Sequence, residues 1–225
     1  MVMICCLLIH AKVKTDRNEA WGVCQRRPFG GPREVSSPMT RLKLKVREGM
    51  HLSSIRQTDK PALLEHLHSQ DVYKTTLNIP HPYLETDADS WIQKRIEHAK
   101  RLGKEVSFAI RDARGKLIGV VSADNLEPGT THKAEIGYWL ARPFWGQGVM
   151  TDAVRTYVTY AFSELRLLRL TAHVFEFNIG SARVLEKNGF KLEGCLRKHF
   201  VKDGELRDAR FYGLLKEDVT ARMTN

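Results

Sequence analysis

Residues Glu135 to Thr151 read EIGYWLARPFWGQGVMT, and this stretch decides the fold. The run Glu135–Ala141 has the composition of a strand and stops at Arg142-Pro143. A turn containing Gly146 and Gly148 follows at once. Then Met150, Ala153, Val154, Tyr157, Val158, Ala161, Phe162 and Leu165 recur at the i, i+3, i+4, i+7 spacing of one buried helix face. A glycine-rich passage from strand to helix leaves backbone N–H groups without intrahelical partners at the positive end of a helix dipole. Such a place favours a phosphate or pyrophosphate.

Three nucleotide-binding patterns compete for this turn. A P-loop needs a Lys directly after its second glycine, and none follows either glycine here. The dinucleotide fingerprint Gly-x-Gly-x-x-Gly has Thr151 at its third position, and no acidic residue stands clearly about 20 positions on. The third pattern fits: the segment resembles the acetyl-CoA pyrophosphate loop of the GNAT superfamily of N-acetyltransferases, Gln/Arg-x-x-Gly-x-Gly/Ala. Pro143 occupies the first position, a departure shared with the RimJ/RimL-like branch, in which a Trp-Gly-x-Gly core such as Trp145–Gly148 is usual.

Composition limits the alternatives. The 225 residues allow one domain plus an appendage, and 42% hydrophobic with 28% charged residues is a globular balance. No stretch approaches the ~18 apolar residues that span a bilayer. Of the net charge of +10, residues 1–49 carry +6, so the basic excess sits mostly outside the predicted domain and selects no nucleic-acid partner. Cys5, Cys6 and Cys24 lie in that same appendage, and Cys195 alone lies in the domain. No Cys-x-x-Cys pair suggests a metal, and Cys195 is expected to be reduced and packed, as in a cytoplasmic protein.

Taken in order, residues 1–49 read as a non-core extension: apolar at first, then rich in Gly, Pro and Arg, without the basic start of a signal peptide. A start-codon artefact, with Met39 or Met50 as the true beginning, would account for it. The domain is predicted over 50–217, with a short tail at 218–225. His51–Arg56 reads as a strand. Thr58 or Asp59 caps a helix to His68, and 70–85 reads as an extended, proline-containing connection. Thr86 begins a second helix that ends at Gly103. Strands at Val106–Arg111 and Leu117–Asp124 are joined by Asp112-Ala-Arg-Gly115. After the central strand and long helix come a strand at Arg169–Phe177 and a helix from Asn178 to Asn188. A hairpin, Lys191–Val201 and Glu205–Leu214, turns at Asp203-Gly204. This order predicts an α/β protein, a three-layer α/β/α sandwich around a splayed, mostly antiparallel central sheet. It is also the GNAT order. Three further segments resemble the RimJ/RimL-like branch: Ile79-Pro-His-Pro-Tyr83, Asn178-Ile-Gly-Ser181 with Val184–Phe190, and Glu193-Gly194.

The resemblance implies an acetyl-CoA-dependent N-acetyltransferase that needs no metal. The cofactor's pantetheine arm would lie along Tyr138–Ala141, including Leu140 and Ala141. The amides of Gly146, Gln147, Gly148, Val149, Met150 and Thr151 would hold the pyrophosphate. Asn178 would contact the pantetheine, and Ser181 would both bind the cofactor and protonate the leaving thiolate. Glu135 is the catalytic base expected on the central strand, with His173, Glu176 or a water chain as competitors. Tyr83 and Trp139 are candidates to wall the acceptor site. The acceptor would be a protein N-terminal α-amine, such as that of a ribosomal protein, or a small-molecule amine. Two other classes remain open: a non-catalytic acetyl-CoA sensor, and a basic ribosome- or RNA-associated module using the extension as an arm.

Overall fold

The computed structural model describes residues 42–124, 126 and 132–223. Among the described residues, eight strands form one sheet, ordered β1-β2-β3-β4-β5-β6-β8-β7. They are β1 (Lys43–Arg47), β2 (Met50–Ser54), β3 (Ser107–Arg111), β4 (Leu117–Asp124), β5 (Lys133–Leu140), β6 (Arg169–Phe175), β7 (Lys191–Lys202) and β8 (Glu205–Leu215). Every pairing is antiparallel except β5 with β6. The long helices are α3 (Glu85–Leu102) and α4 (Val149–Ser163); the shorter ones are α1 (Lys60–Leu67), α2 (Gln70–Thr75), α5 (Ile179–Lys187) and α6 (Lys216–Met223).

Alternation along the strands divides the layers. Glu135 pairs with Asp124, whose carboxylate meets Arg95 of α3, so that face carries α3. Tyr138, of opposite parity, reaches Ser181 of α5. Met150, Ala153, Val154, Tyr157, Val158, Ala161 and Phe162 are all buried, as the apolar period of α4 predicts. On the α3 face, Arg111 and Asp59 form a buried two-pronged ion pair at 2.7 and 3.0 Å, and Arg111 Nε donates to Ser53 Oγ.

Several boundaries differ from the sequence reading. Lys43–Arg47 was assigned to the extension but forms an edge strand paired with β2, so the sheet begins before Met50. Residues 1–41 of that extension lie outside the described residues. The connection expected to be extended contains α2, a helix too short to show a period. The second helix begins at Glu85 and is capped by Asp87, whose carboxylate accepts the Leu84 N–H, rather than by Thr86. Residues 216–223 form α6, which overlaps the tail expected at 218–225. Cys195, expected to be packed, is free and exposed.

Candidate active site

The site forms where β5 and β6 part. Their parallel register runs through Lys133–Arg169, Ala134–Leu170 and Glu135–Thr171, and goes no further. The Ala141 N–H donates to Ile118 O, which fixes the parity of β5 against β4. Ile136, Tyr138 and Leu140 therefore turn their backbone groups toward β6, into the opening. The Leu140 carbonyl is already taken by the Trp145 indole N–H at 2.7 Å.

The turn leaving β5 is built as its sequence suggests. Arg142–Phe144 form a short 3-10 turn, and Gly146 and Gly148 both have φ of 74°, a left-handed conformation that a side chain disfavours. Among the described residues, no N–H from Gly146 to Thr151 meets a protein acceptor. Asp152 N–H, one residue later, donates to Gly148 O and begins the helical ladder. These amides at the start of α4 fit a pyrophosphate. Arg47 of β1 braces the turn, donating to Gln147 O at 3.1 Å and pairing with Asp152 at 2.5 Å. No sequence reading placed Arg47 here, because it comes from the segment assigned to the extension.

Two polar pairs flank the opening, one on each face of the sheet. On the α3 face, Glu135 is 7% exposed and its Oε1 lies 2.8 Å from His173 Nδ1. A carboxylate only accepts, so His173 Nδ1 is the donor in this contact and Nε2 is the ring nitrogen left for other partners. His173 also stacks on His199, with ring centroids 5.0 Å apart and planes 15° apart. Burial, and then the neighbouring His173, lowers the His199 pKa. Glu176, the other competitor, sits in the turn after β6, with Oε2 buried and lacking a hydrogen-bond partner.

On the opposite face, Ser181 is buried on α5 and its Oγ lies 2.8 Å from the Tyr138 hydroxyl. Asn178 accepts the Ser181 N–H at 3.1 Å, the N-cap its position suggests. Burial pushes the Tyr138 pKa far up, so its hydroxyl keeps its proton. The sequence reading used only the Tyr138 backbone. Strand parity was the available signal, since it points this side chain at α5.

Tyr83 and Trp139, the candidates to wall the acceptor site, are 6% and 3% exposed and belong to the hydrophobic core, and strand parity places Trp139 on the Glu135 face of β5. Among the described residues no group of His, Cys, Asp and Glu could hold a metal ion.

Comparison with known proteins agrees with this fold. Residues 50–191 match the acetyltransferase (GNAT) domain. Probable N-acetyltransferase YjcK of Bacillus subtilis (strain 168) is 44% identical over 130 residues, covering 56% of this chain and 72% of YjcK. L-amino acid N-acetyltransferase AaaT of Escherichia coli (strain K12) is 29% identical over 155 residues, covering 68% of this chain and 90% of AaaT. The solved RimL ribosomal L7/L12 α-N-protein acetyltransferase, in complex with coenzyme A, superposes with a TM-score of 0.69 at 24% identity, covering 77% of this chain and 98% of that one. At that identity the likeness speaks for the fold. The chain belongs to the GNAT acetyltransferase family. It is an acetyl-CoA-dependent N-acetyltransferase, moving an acetyl group from the thioester to an amine.

Proposed function

We propose that the acceptor is an α-amine, acetylated by direct attack at the opening between β5 and β6, with His173 as the base. The carrying observation is the Glu135–His173 contact of 2.8 Å beside the last paired residues of the two strands. Glu135 then acts as a positioning residue rather than the base itself. Its carboxylate fixes the His173 tautomer and steadies the imidazolium that forms. The name of AaaT, an L-amino acid N-acetyltransferase, supports an α-amine. So does the chemistry: an α-amine of pKa ~7.8 is partly neutral at pH 7, whereas a lysine at ~10.4 costs about 4 kcal/mol to deprotonate.

In this reading the amides of Gly146 to Thr151 hold the pyrophosphate, and the Leu140 N–H and Tyr138 backbone hold the pantetheine arm. One strand N–H polarises the thioester carbonyl, a contribution of about 3 kcal/mol. The amine nitrogen attacks the carbonyl carbon, the C–N bond forms and the C–S bond breaks. The amine proton passes to His173 Nε2. The departing sulfur takes a hydrogen bond from Ser181 Oγ, which in turn accepts one from Tyr138.

The catalytic domain spans 43–217 or beyond and works in the cytoplasm. Among the described residues no helix is long and apolar enough to cross a membrane. Thiol release from acetyl-CoA, measured across free amino acids, N-terminal peptides, polyamines and lysine side chains, tests the reading. Turnover confined to α-amines, and reduced by His173→Gln, supports it. Preferred turnover of polyamines or lysines overturns it.

A further inference from the structure

The edge strand β7 does not run straight past the base. Its register with β8 slips between Leu196 and Phe200, and Lys198 adopts a left-handed φ of 50°. Asp208 accepts the Lys198 N–H at 2.7 Å and holds the resulting arch. The slip is what lays His199 against His173, and residues Cys195 to His199 line an open groove of about 630 Å³.

Arg197 and Lys198 are both exposed on this arch, and neither forms an ion pair among the described residues. The carboxylates around it are mostly engaged. Glu135 holds His173, Glu205 pairs with Arg207, Asp203 accepts from the Tyr73 hydroxyl and Asp208 holds the arch backbone. Glu176 keeps one unpartnered oxygen beyond the end of β6. The side chain stacked on His173 thus belongs to a segment with two exposed cations that form no ion pair among the described residues, while Asp208, bonded to a backbone N–H, keeps its own charge.

We propose that this arch selects acceptors whose α-amine is accompanied by a nearby carboxylate, which Arg197 and Lys198 receive. The carboxylate has two possible sources: the α-carboxylate of a free amino acid, or an acidic side chain just after a peptide's N-terminal residue. The proposal rests on the reading above, that the amine is attacked beside His173. Coulomb attraction to the two exposed side chains favours such acceptors over polyamines, whose charges they repel.

The test is kcat/KM for peptides identical except for Asp, Asn or Lys at their second and third positions, together with a free amino acid and its amide. The Asp peptide is expected to exceed the Lys peptide by about tenfold at low salt, with the gap closing in ~0.5 M salt. A free amino acid faster than its amide identifies the α-carboxylate as a source, and faster Asp peptides identify the side chain. Arg197→Glu combined with Lys198→Asn, the asparagine chosen because it tolerates a left-handed backbone, is expected to reverse the order. Acetyl-CoA affinity by calorimetry reports whether that variant is folded. Equal rates for all peptides, or a faster Lys peptide, overturn the arch proposal while leaving α-amine transfer standing. No transfer to any α-amine overturns both.

Discussion

Glu135 Oε1 lies 2.8 Å from His173 Nδ1, across the point where β5 and β6 stop pairing. The Tyr138–Ser181 contact, also 2.8 Å, lies on the other face of the same sheet. An intact sheet would keep the two pairs apart. In the proposed reading, the split lets one bound thioester meet a base from the α3 side and a hydrogen-bond donor from the α5 side.

His173→Gln removes the lone pair proposed to take the proton. We expect kcat/KM for an α-amine to fall by roughly 10²–10⁴-fold near pH 7. The deficit should shrink at pH 9, where an amine of pKa ~7.8 is already neutral. Glu135→Gln should behave in the same way with a smaller loss. The pH–rate profile of each variant checks this.

Tyr138→Phe leaves the Ser181 hydroxyl without its tyrosine partner, whereas Ser181→Ala removes the proposed donor to sulfur. Both should lower kcat with little change in KM for the acceptor, Ser181→Ala the more, by about tenfold or greater. Steady-state thiol release measures the two constants.

Gly148→Ala forces a side chain onto φ 74°, and its Cβ would meet Arg47 Nη2 at 3.4 Å. A left-handed backbone costs an L-residue roughly 1–2 kcal/mol, so acetyl-CoA should bind about tenfold more weakly. Calorimetric titration gives the affinity.

Asp59→Ala strands the Arg111 guanidinium, whose side chain is 3% exposed. Loss of one partner from a buried pair costs about 3–5 kcal/mol, and urea unfolding should show it. Replacing both partners, Asp59→Leu with Arg111→Met, should cost much less.

Burial holds the His66 pKa below its ordinary 6.5. The fold therefore keeps His66 neutral while the unfolded chain takes up a proton. This contribution to stability is complete above the unfolded pKa and declines as pH drops below about 6.5. The urea midpoint should fall between pH 7.5 and pH 5.5, and His66→Leu should flatten that fall.

Local signals in the sequence carried much of this arrangement. The apolar period of α4, the glycines after β5 and the Asn178 cap each depend on neighbours in the chain, and each appears in the structure. The β1 strand was legible too. Leu42, Leu44 and Val46 alternate with Lys43, Lys45 and Arg47 as in a half-buried edge strand, but they lie ahead of Met50, where the domain is read to begin. The Glu135–His173 pair and the β7 arch were not legible. Each depends on register between segments far apart in the chain, which no local pattern encodes. Tyr83 and Trp139 are buried in the core, and an aromatic residue fits a ligand wall and a core equally well, so sequence alone does not separate the two.

The most direct test is amide hydrogen exchange with and without saturating acetyl-CoA. Slowed exchange at Tyr138, Leu140 and Gly146 to Thr151 is the predicted result, because these N–H groups gain acceptors only from the bound donor. Protection confined to other segments, with these amides exchanging as before, would contradict the placement of the thioester between β5 and β6.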